Sequence, residues 1–249
     1  MSELQGKKVV VVGGSQGIGR ETVRAAHAAG AQVLAVARRE NLLAELAQEI
    51  PGVQTLSADA TEDATVAGVF DAMTPDVLVL CGGALPVQGA VQDLTWEQFS
   101  VVWNGDLKSS FLFCQAALKR PLAPGSTVVI LSSGAGLGGS FISGGYAGAK
   151  RMQMFLAQYC QKQSDKLNLG IRFVALVPMR IMPETTIGKR GVEGYSMALG
   201  ISVAEYMKDR EPSQTPAQVA EAALQLATET PLREGNVFSV SATGLGALP

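Results

Sequence analysis

Four valines, Val9 to Val12, run straight into Gly13-Gly14-Ser15-Gln16-Gly17-Ile18-Gly19-Arg20, and an alanine-rich stretch through Ala29 follows. A short β-branched run without alternation suits a strand buried on both faces, as in a parallel sheet. Glycines at its end permit a tight turn and let another group approach the backbone closely. The helix that follows presents unpaired N–H groups and a positive partial charge, which favour an anion. Strand, glycines and helix in this order describe a phosphate cradle; the same glycines alone would be an ordinary turn.

The rest of the chain repeats the alternation. Strand-like runs fall at 7–12, 32–37, 53–57, 77–80, 127–131, 171–177 and 237–240, with helical segments between them. That rhythm predicts a parallel sheet with right-handed crossovers and helices on both faces. With 249 residues, 47% hydrophobic and 17% charged, we read one domain, 1–249, with a sizeable core. Ligands in such sheets sit beyond the carboxyl ends of the strands, and Gly14, Asp59, Ser133 and Pro178 all follow strand ends.

Composition excludes several partners. A net charge of −2 with no basic cluster beyond pairs such as Arg38-Arg39 argues against nucleic acid. Residues 1–8 are polar, and no run of about 18 uncharged apolar residues occurs, so we expect a cytoplasmic protein without a membrane partner. Cys81, Cys114 and Cys160 sit in apolar settings and are expected as reduced thiols. His27, the sole histidine, lies on the first helix among alanines, so no metal site is expected.

The candidate chemistry lies in Gly145-Tyr146-Ala147-Gly148-Ala149-Lys150, with Ser133 upstream. Positions i and i+4 of a helix stand one above the other, which puts the Lys150 ammonium beside the Tyr146 phenol. A nearby positive charge favours phenolate and lowers a tyrosine pKa toward the working pH, making Tyr146 a usable general acid or base. Ser133 could hydrogen-bond the oxygen whose proton Tyr146 handles.

Together these segments resemble the short-chain dehydrogenase/reductase family in its shorter, single-domain form, over nearly the whole chain. Gly14-x-x-x-Gly17-x-Gly19 matches the family's glycine spacing, with Gly13 where threonine is usual. Ser133, Tyr146 and Lys150 fall on its catalytic serine, tyrosine and lysine. Asp59 matches the acidic residue near the adenine ring, and Pro178 the proline beside the nicotinamide. The resemblance implies an α/β fold: a Rossmann-like, doubly wound, seven-stranded parallel sheet. It also implies a substrate lid over 183–212 and a homo-oligomer, expected as a tetramer, with helices near 100–118 and 145–163 at an interface. Without the resemblance, 183–212 reads equally as a connecting helix with a core face.

There are departures. The family's Asn-Asn-Ala-Gly reads Leu80-Cys81-Gly82-Gly83, the glycine after the proline is Met179, and the closing Asp-Gly-Gly is replaced by Ser241-Ala242-Thr243-Gly244. The catalytic asparagine falls on Asp106. By position, the resemblance implies a catalytic set of Ser133, Tyr146, Lys150 and Asp106. Its implied cofactor contacts are Gly14, Ser15, Gln16, Gly17, Ile18, Gly19, Arg38, Arg39, Asp59, Ala60, Gly82, Tyr146, Lys150 and Pro178.

A carboxylate ending the second strand would bind the ribose 2′-hydroxyl of NAD and repel the 2′-phosphate of NADP. Ala37 stands there, followed by Arg38, whose planar guanidinium suits a phosphate. NADP(H) is therefore expected over NAD, although Arg38 and Arg39 also read as solvated charges at a helix entry. The expected function is an NADP(H)-dependent oxidoreductase interconverting a carbonyl and an alcohol on a partly apolar small molecule. The alternative is a regulatory or scaffold protein that binds nucleotide on the same fold without turnover.

Overall fold

The computed structural model describes residues 4–208, 210, 213–228 and 235–249. Its strands are β1 (Lys8–Val12), β2 (Gln32–Ala37), β3 (Gln54–Ser57), β4 (Val77–Leu80), β5 (Thr127–Leu131), β6 (Arg172–Pro178), β7 (Val237–Ser241) and β8 (Gly244–Leu248). They form one sheet in the order β3-β2-β1-β4-β5-β6-β7-β8. Pairing is parallel from β3 through β7, which is the expected doubly wound α/β arrangement.

The sheet has eight strands rather than the expected seven. β8 turns back antiparallel on β7 through Ala242-Thr243, with Ser241 opposite Gly244. Gly244, at φ +95°, supplies the left-handed conformation that the tight reversal needs. Gly244-Leu245-Gly246-Ala247-Leu248 carries no β-branched residue, so its composition hides the strand.

Burial explains why the strands read as continuous apolar runs. Val9 and Val11 enter one core with Val23 and Ala26 of α1 (Gly17–Ala28), Leu43 and Leu46 of α2 (Glu40–Glu49), and Val219 and Ala223 of the C-terminal helix Pro216–Thr228. Val10 and Val12 point the other way, toward Phe70 of α3 (Asp63–Ala72), Phe113 of the helix Lys108–Lys119, and Met154 and Ala157 of the helix Tyr146–Lys166. Fully burying each valine, leucine, phenylalanine or methionine of these contributes about 1.5–3 kcal/mol, which fixes the sheet between two helical layers.

Two interruptions position the site. α4 (Trp96–Val102) begins on a capping box, Thr95 accepting from the Gln98 N–H while the Gln98 side chain accepts from the Thr95 N–H. It widens into a π turn over Trp103–Leu107 before α5 (Lys108–Lys119) continues. Such turns re-aim a helix face, and this one carries Asp106 inward. α6 (Ala135–Gly138) then leads to α7 (Tyr146–Lys166). The expected lid contains α8 (Thr186–Leu199) and α9 (Val203–Lys208); its positions 209, 211 and 212 lie outside the described residues. The last helix is α10 (Pro216–Thr228). Among the described residues, no helix is long and apolar enough to cross a membrane.

Candidate active site

The order of strands reverses about β1, whose neighbours are β2 and β4, and the crevice this opens lies at their carboxyl ends. The glycine turn occupies it. Gly13 has φ +84°, and a Cβ there would lie 2.7 Å from the backbone nitrogen of Gly82. A Cβ on Gly19 would lie 2.1 Å from the Gly13 carbonyl oxygen, so the turn closes only with glycine at both places. Gly17, at φ +53°, opens α1, whose first turn carries Ile18 and Gly19. Gly14 packs against Ala35 and Val23, Ser15 is buried, and Gln16 caps the helix with extended backbone.

Two departures from the family thus meet in space. The threonine usual at Gly13 cannot coexist with Cys81 and Gly82 where β4 delivers them, because its Cβ would fall 2.8 Å from the Cys81 carbonyl carbon. The close contacts are to backbone atoms, so they depend on where β4 places the chain and not on which side chains stand at Cys81 and Gly82.

At the rim of the crevice, Asp59 accepts from the Thr61 N–H at 2.9 Å and from the Thr61 hydroxyl at 2.8 Å. Those two hydrogen bonds, with a smaller contribution from the Arg38 charge, hold its carboxyl below the usual carboxylate value. Arg38 Nη1 stands 4.0 Å from Asp59, and the Arg38 side chain is 68% exposed. Ala37 ends β2, so the strand itself supplies no carboxylate there. Arg39 and Ala60 follow their strands into loops, Arg39 as the exposed N-cap of α2 and Ala60 packed against the core. A cavity of about 470 Å³ lies here, walled by Arg38, Asp59, Thr61, Ala84, Trp96 and Asn104 among others.

The groups expected to handle a proton gather at the start of α7. Lys150 is 5% exposed, its Nζ 2.9 Å from Asp106 Oδ2 and 3.2 Å from the Leu131 carbonyl. That Nζ stands 5.7 Å from the centroid of the Tyr146 ring. Burial alone would push the lysine pKa down; the charge of Asp106 and then Tyr146 overcome it and raise it above the ordinary value. Lys150 is therefore an ammonium through the physiological range.

Asp106 is 1% exposed, and its second oxygen accepts from the Ala84 N–H at 2.6 Å. Its backbone carbonyl accepts from the hydroxyls of Ser109 and Ser110 at 3.0 and 2.8 Å, and from Gln153 Nε2 at 3.4 Å. Asn104 instead turns to Ser100 and stays on the cavity side.

Ser133 sits two residues beyond β5, its Oγ accepting from the Ala135 N–H at 3.2 Å. Its neighbour Ser132 donates to the Lys150 carbonyl at 2.7 Å, which clamps this segment onto the first turn of α7. Pro178 ends β6, and its carbonyl accepts from the Gly134 N–H at 2.9 Å. The structure so brings Tyr146, Lys150 and Asp106 into direct company, seats Ser133 on the adjoining seam, and leaves Arg39 apart.

Sequence reasoning did not single out Ala84, Leu131, Ser132 or Gln153. Three of them act through backbone groups or a single hydroxyl, for which no side-chain pattern exists. Gln153 carried a signal: three positions after Lys150 on the same helix, it is a polar residue on a buried face.

A doubly wound α/β sheet with a glycine turn at the carboxyl end of β1 and a Tyr-x-x-x-Lys pair at the start of α7 defines the class of protein. The chain belongs to the short chain dehydrogenase family, whose pattern matches residues 7–193. It is 32% identical over 132 residues to carbonyl reductase [NADPH] 2 of Sus scrofa, covering 52% of this chain and 54% of that protein. L-xylulose reductase of Mesocricetus auratus is 30% identical over 129 residues, 52% of this chain and 53% of that protein. The chain thus matches about half the length of these curated relatives. An oxidoreductase crystal structure from Burkholderia thailandensis superposes with a TM-score of 0.72 at 22% identity, covering 90% of this chain and 86% of the other, a likeness of fold.

Proposed function

We propose that this protein is an NADP(H)-dependent oxidoreductase that interconverts a carbonyl and an alcohol on a small to medium, partly apolar organic substrate. The observation that carries the reading is the buried Lys150 ammonium, paired with Asp106 and standing 5.7 Å from the Tyr146 ring. A buried cation beside the ring is suited to steady negative charge on the phenol oxygen, which is what a proton donor and acceptor at Tyr146 requires.

Three features of the crevice fit the nucleotide. A glycine turn that admits no Cβ leaves room for a pyrophosphate at the N-terminus of α1. Asp59, held ionised, suits the adenine amine. Arg38 beside Ala37 suits a 2′-phosphate. When bound, the nicotinamide would supply or accept the hydride. Ser133 would hold the substrate oxygen, Tyr146 would give or take its proton, and Lys150 would steady the phenol oxygen and hold a ribose hydroxyl. The "[NADPH]" in the name of the porcine relative supports the cofactor choice by similarity.

The test is oxidation of NADPH, followed by absorbance, with a panel of ketones, aldehydes and 1,2-dicarbonyls. Turnover with NADPH preferred over NADH is expected. Binding of NADPH with no turnover on any carbonyl, or in reverse on alcohols, would instead indicate a nucleotide-binding protein without catalysis.

A further inference from the structure

We infer that Tyr195 is a positioning residue, whose hydroxyl ties the helix over the glycine turn to the loop that delivers Tyr146. This rests on the nucleotide-dependent reading above.

α8 is set at both ends. Thr185 caps its start, accepting from the Gly188 N–H at 2.9 Å, and Gly200 closes it in the left-handed conformation at φ +67°. Its first residues overlie the nucleotide cradle. The Thr185 methyl lies 3.7 Å from where a Cβ of Gly17 would stand, and Ile187 Cδ1 lies 3.0 Å from that of Gly83. Ten residues further along, about 15 Å at the helical rise, the same helix reaches the catalytic loop.

There Tyr195 cannot wander. Its ring stacks on Tyr206 of α9, centroids 5.6 Å apart and planes 2° from parallel, and Arg210 sits over the Tyr206 ring with its guanidinium carbon 3.8 Å from the centroid. A ring held in that stack aims its hydroxyl, and the hydroxyl meets Ser140 Oγ at 2.6 Å. Ser140 Oγ in turn contacts Ser143 Oγ at 2.9 Å. The Ser143 carbonyl accepts from the Tyr146 N–H at 3.1 Å. One polar chain therefore runs from the lid to the backbone of the first residue of α7.

Lifting α8 from the glycine turn breaks the Tyr195–Ser140 contact, and in this reading the nucleotide leaves by that motion. Removing one neutral hydrogen bond changes an equilibrium by about two- to tenfold. Tyr195→Phe keeps the ring stack and deletes only the hydroxyl. Ser140→Ala deletes the same bond from the other side. We expect each to speed NADPH release, read by stopped-flow fluorescence, by about three- to tenfold. Ser140→Ala also loses the Ser140–Ser143 contact, so the double variant should be no faster than Ser140→Ala alone, the Tyr195–Ser140 bond being lost in all three.

Release within twofold of the parent in the single variants, or effects that multiply in the double, overturns the inference. So does a lower Tm with an unchanged release rate, which makes the contact purely structural. Should Tyr195→Phe fail to fold, Ser140→Ala decides alone. If the parent protein takes up NADH and not NADPH, the same rates are read with NADH and only the cofactor choice fails. Binding of neither nucleotide removes both readings.

Discussion

Lys150 Nζ lies 2.9 Å from the Asp106 carboxylate, and both side chains are almost wholly inside the protein. Breaking such a pair by deleting one partner leaves an uncompensated buried charge. A lysine whose folded pKa is raised adds stability that is fully present below its unfolded value, about pH 10.4, and is lost as pH rises through the folded one. The pair is therefore intact over the working range.

Asp106→Asn tests the pair directly. The amide oxygen can still accept from the Ala84 N–H, so fold and activity should persist, with a lower Tm because the buried Lys150 charge loses its carboxylate. Without the carboxylate the Tyr146 oxygen feels more of the ammonium's field. The basic-side onset of alcohol oxidation, followed as kcat against pH, should move to lower pH. The same change lowers the Lys150 pKa, so the loss of activity at high pH should also begin earlier. An unmoved onset would mean Asp106 only shapes the π turn. A shift to higher pH, or a folded but inactive variant, would show that the carboxylate itself relays protons.

Tyr146→Phe fills the same space without a transferable proton. It should bind NADPH and melt like the parent while losing on the order of 10²–10⁴-fold in kcat. A loss under about tenfold would remove Tyr146 from the proton-transfer step.

Ala37→Asp with Arg38→Ala adds repulsion to a 2′-phosphate and deletes its partner. The ratio of kcat/KM for NADPH over NADH should fall by at least about tenfold, the worth of one charge-assisted hydrogen bond. A ratio that does not change shows that the end of β2 does not read the phosphate.

Gly13→Thr installs the residue common in the family at a position with φ +84° and backbone 2.7 Å from the new Cβ. The strain should cost at least about 2 kcal/mol, or about 5 °C in Tm for a chain of this size. Changing Cys81-Gly82 at the same time to the family's Asn-Ala should not rescue it, because Gly82 is met through its backbone nitrogen. A melting curve superposing on that of the parent would refute the close approach.

The sequence by itself determined the local order. Unalternating valines at Val9–Val12 can only be satisfied between two helical layers, and glycines before an alanine-rich helix specify a tight turn whatever the remainder does. The four-residue step from Tyr146 to Lys150 set both side chains on one helix face before any tertiary contact. Tertiary structure decided what meets those groups. That Asp106 faces Lys150 depends on a π turn in a different helix, and that Gly13 admits Gly82 depends on how β4 docks beside β1. Ser140 and Tyr195 touch across 55 positions. β8 escaped notice because its glycines carry no strand preference, and its pairing to β7 supplies the order its own residues lack. Periodicity records which way a residue faces along its own element; which partner waits there is set by the packing of elements distant in the chain.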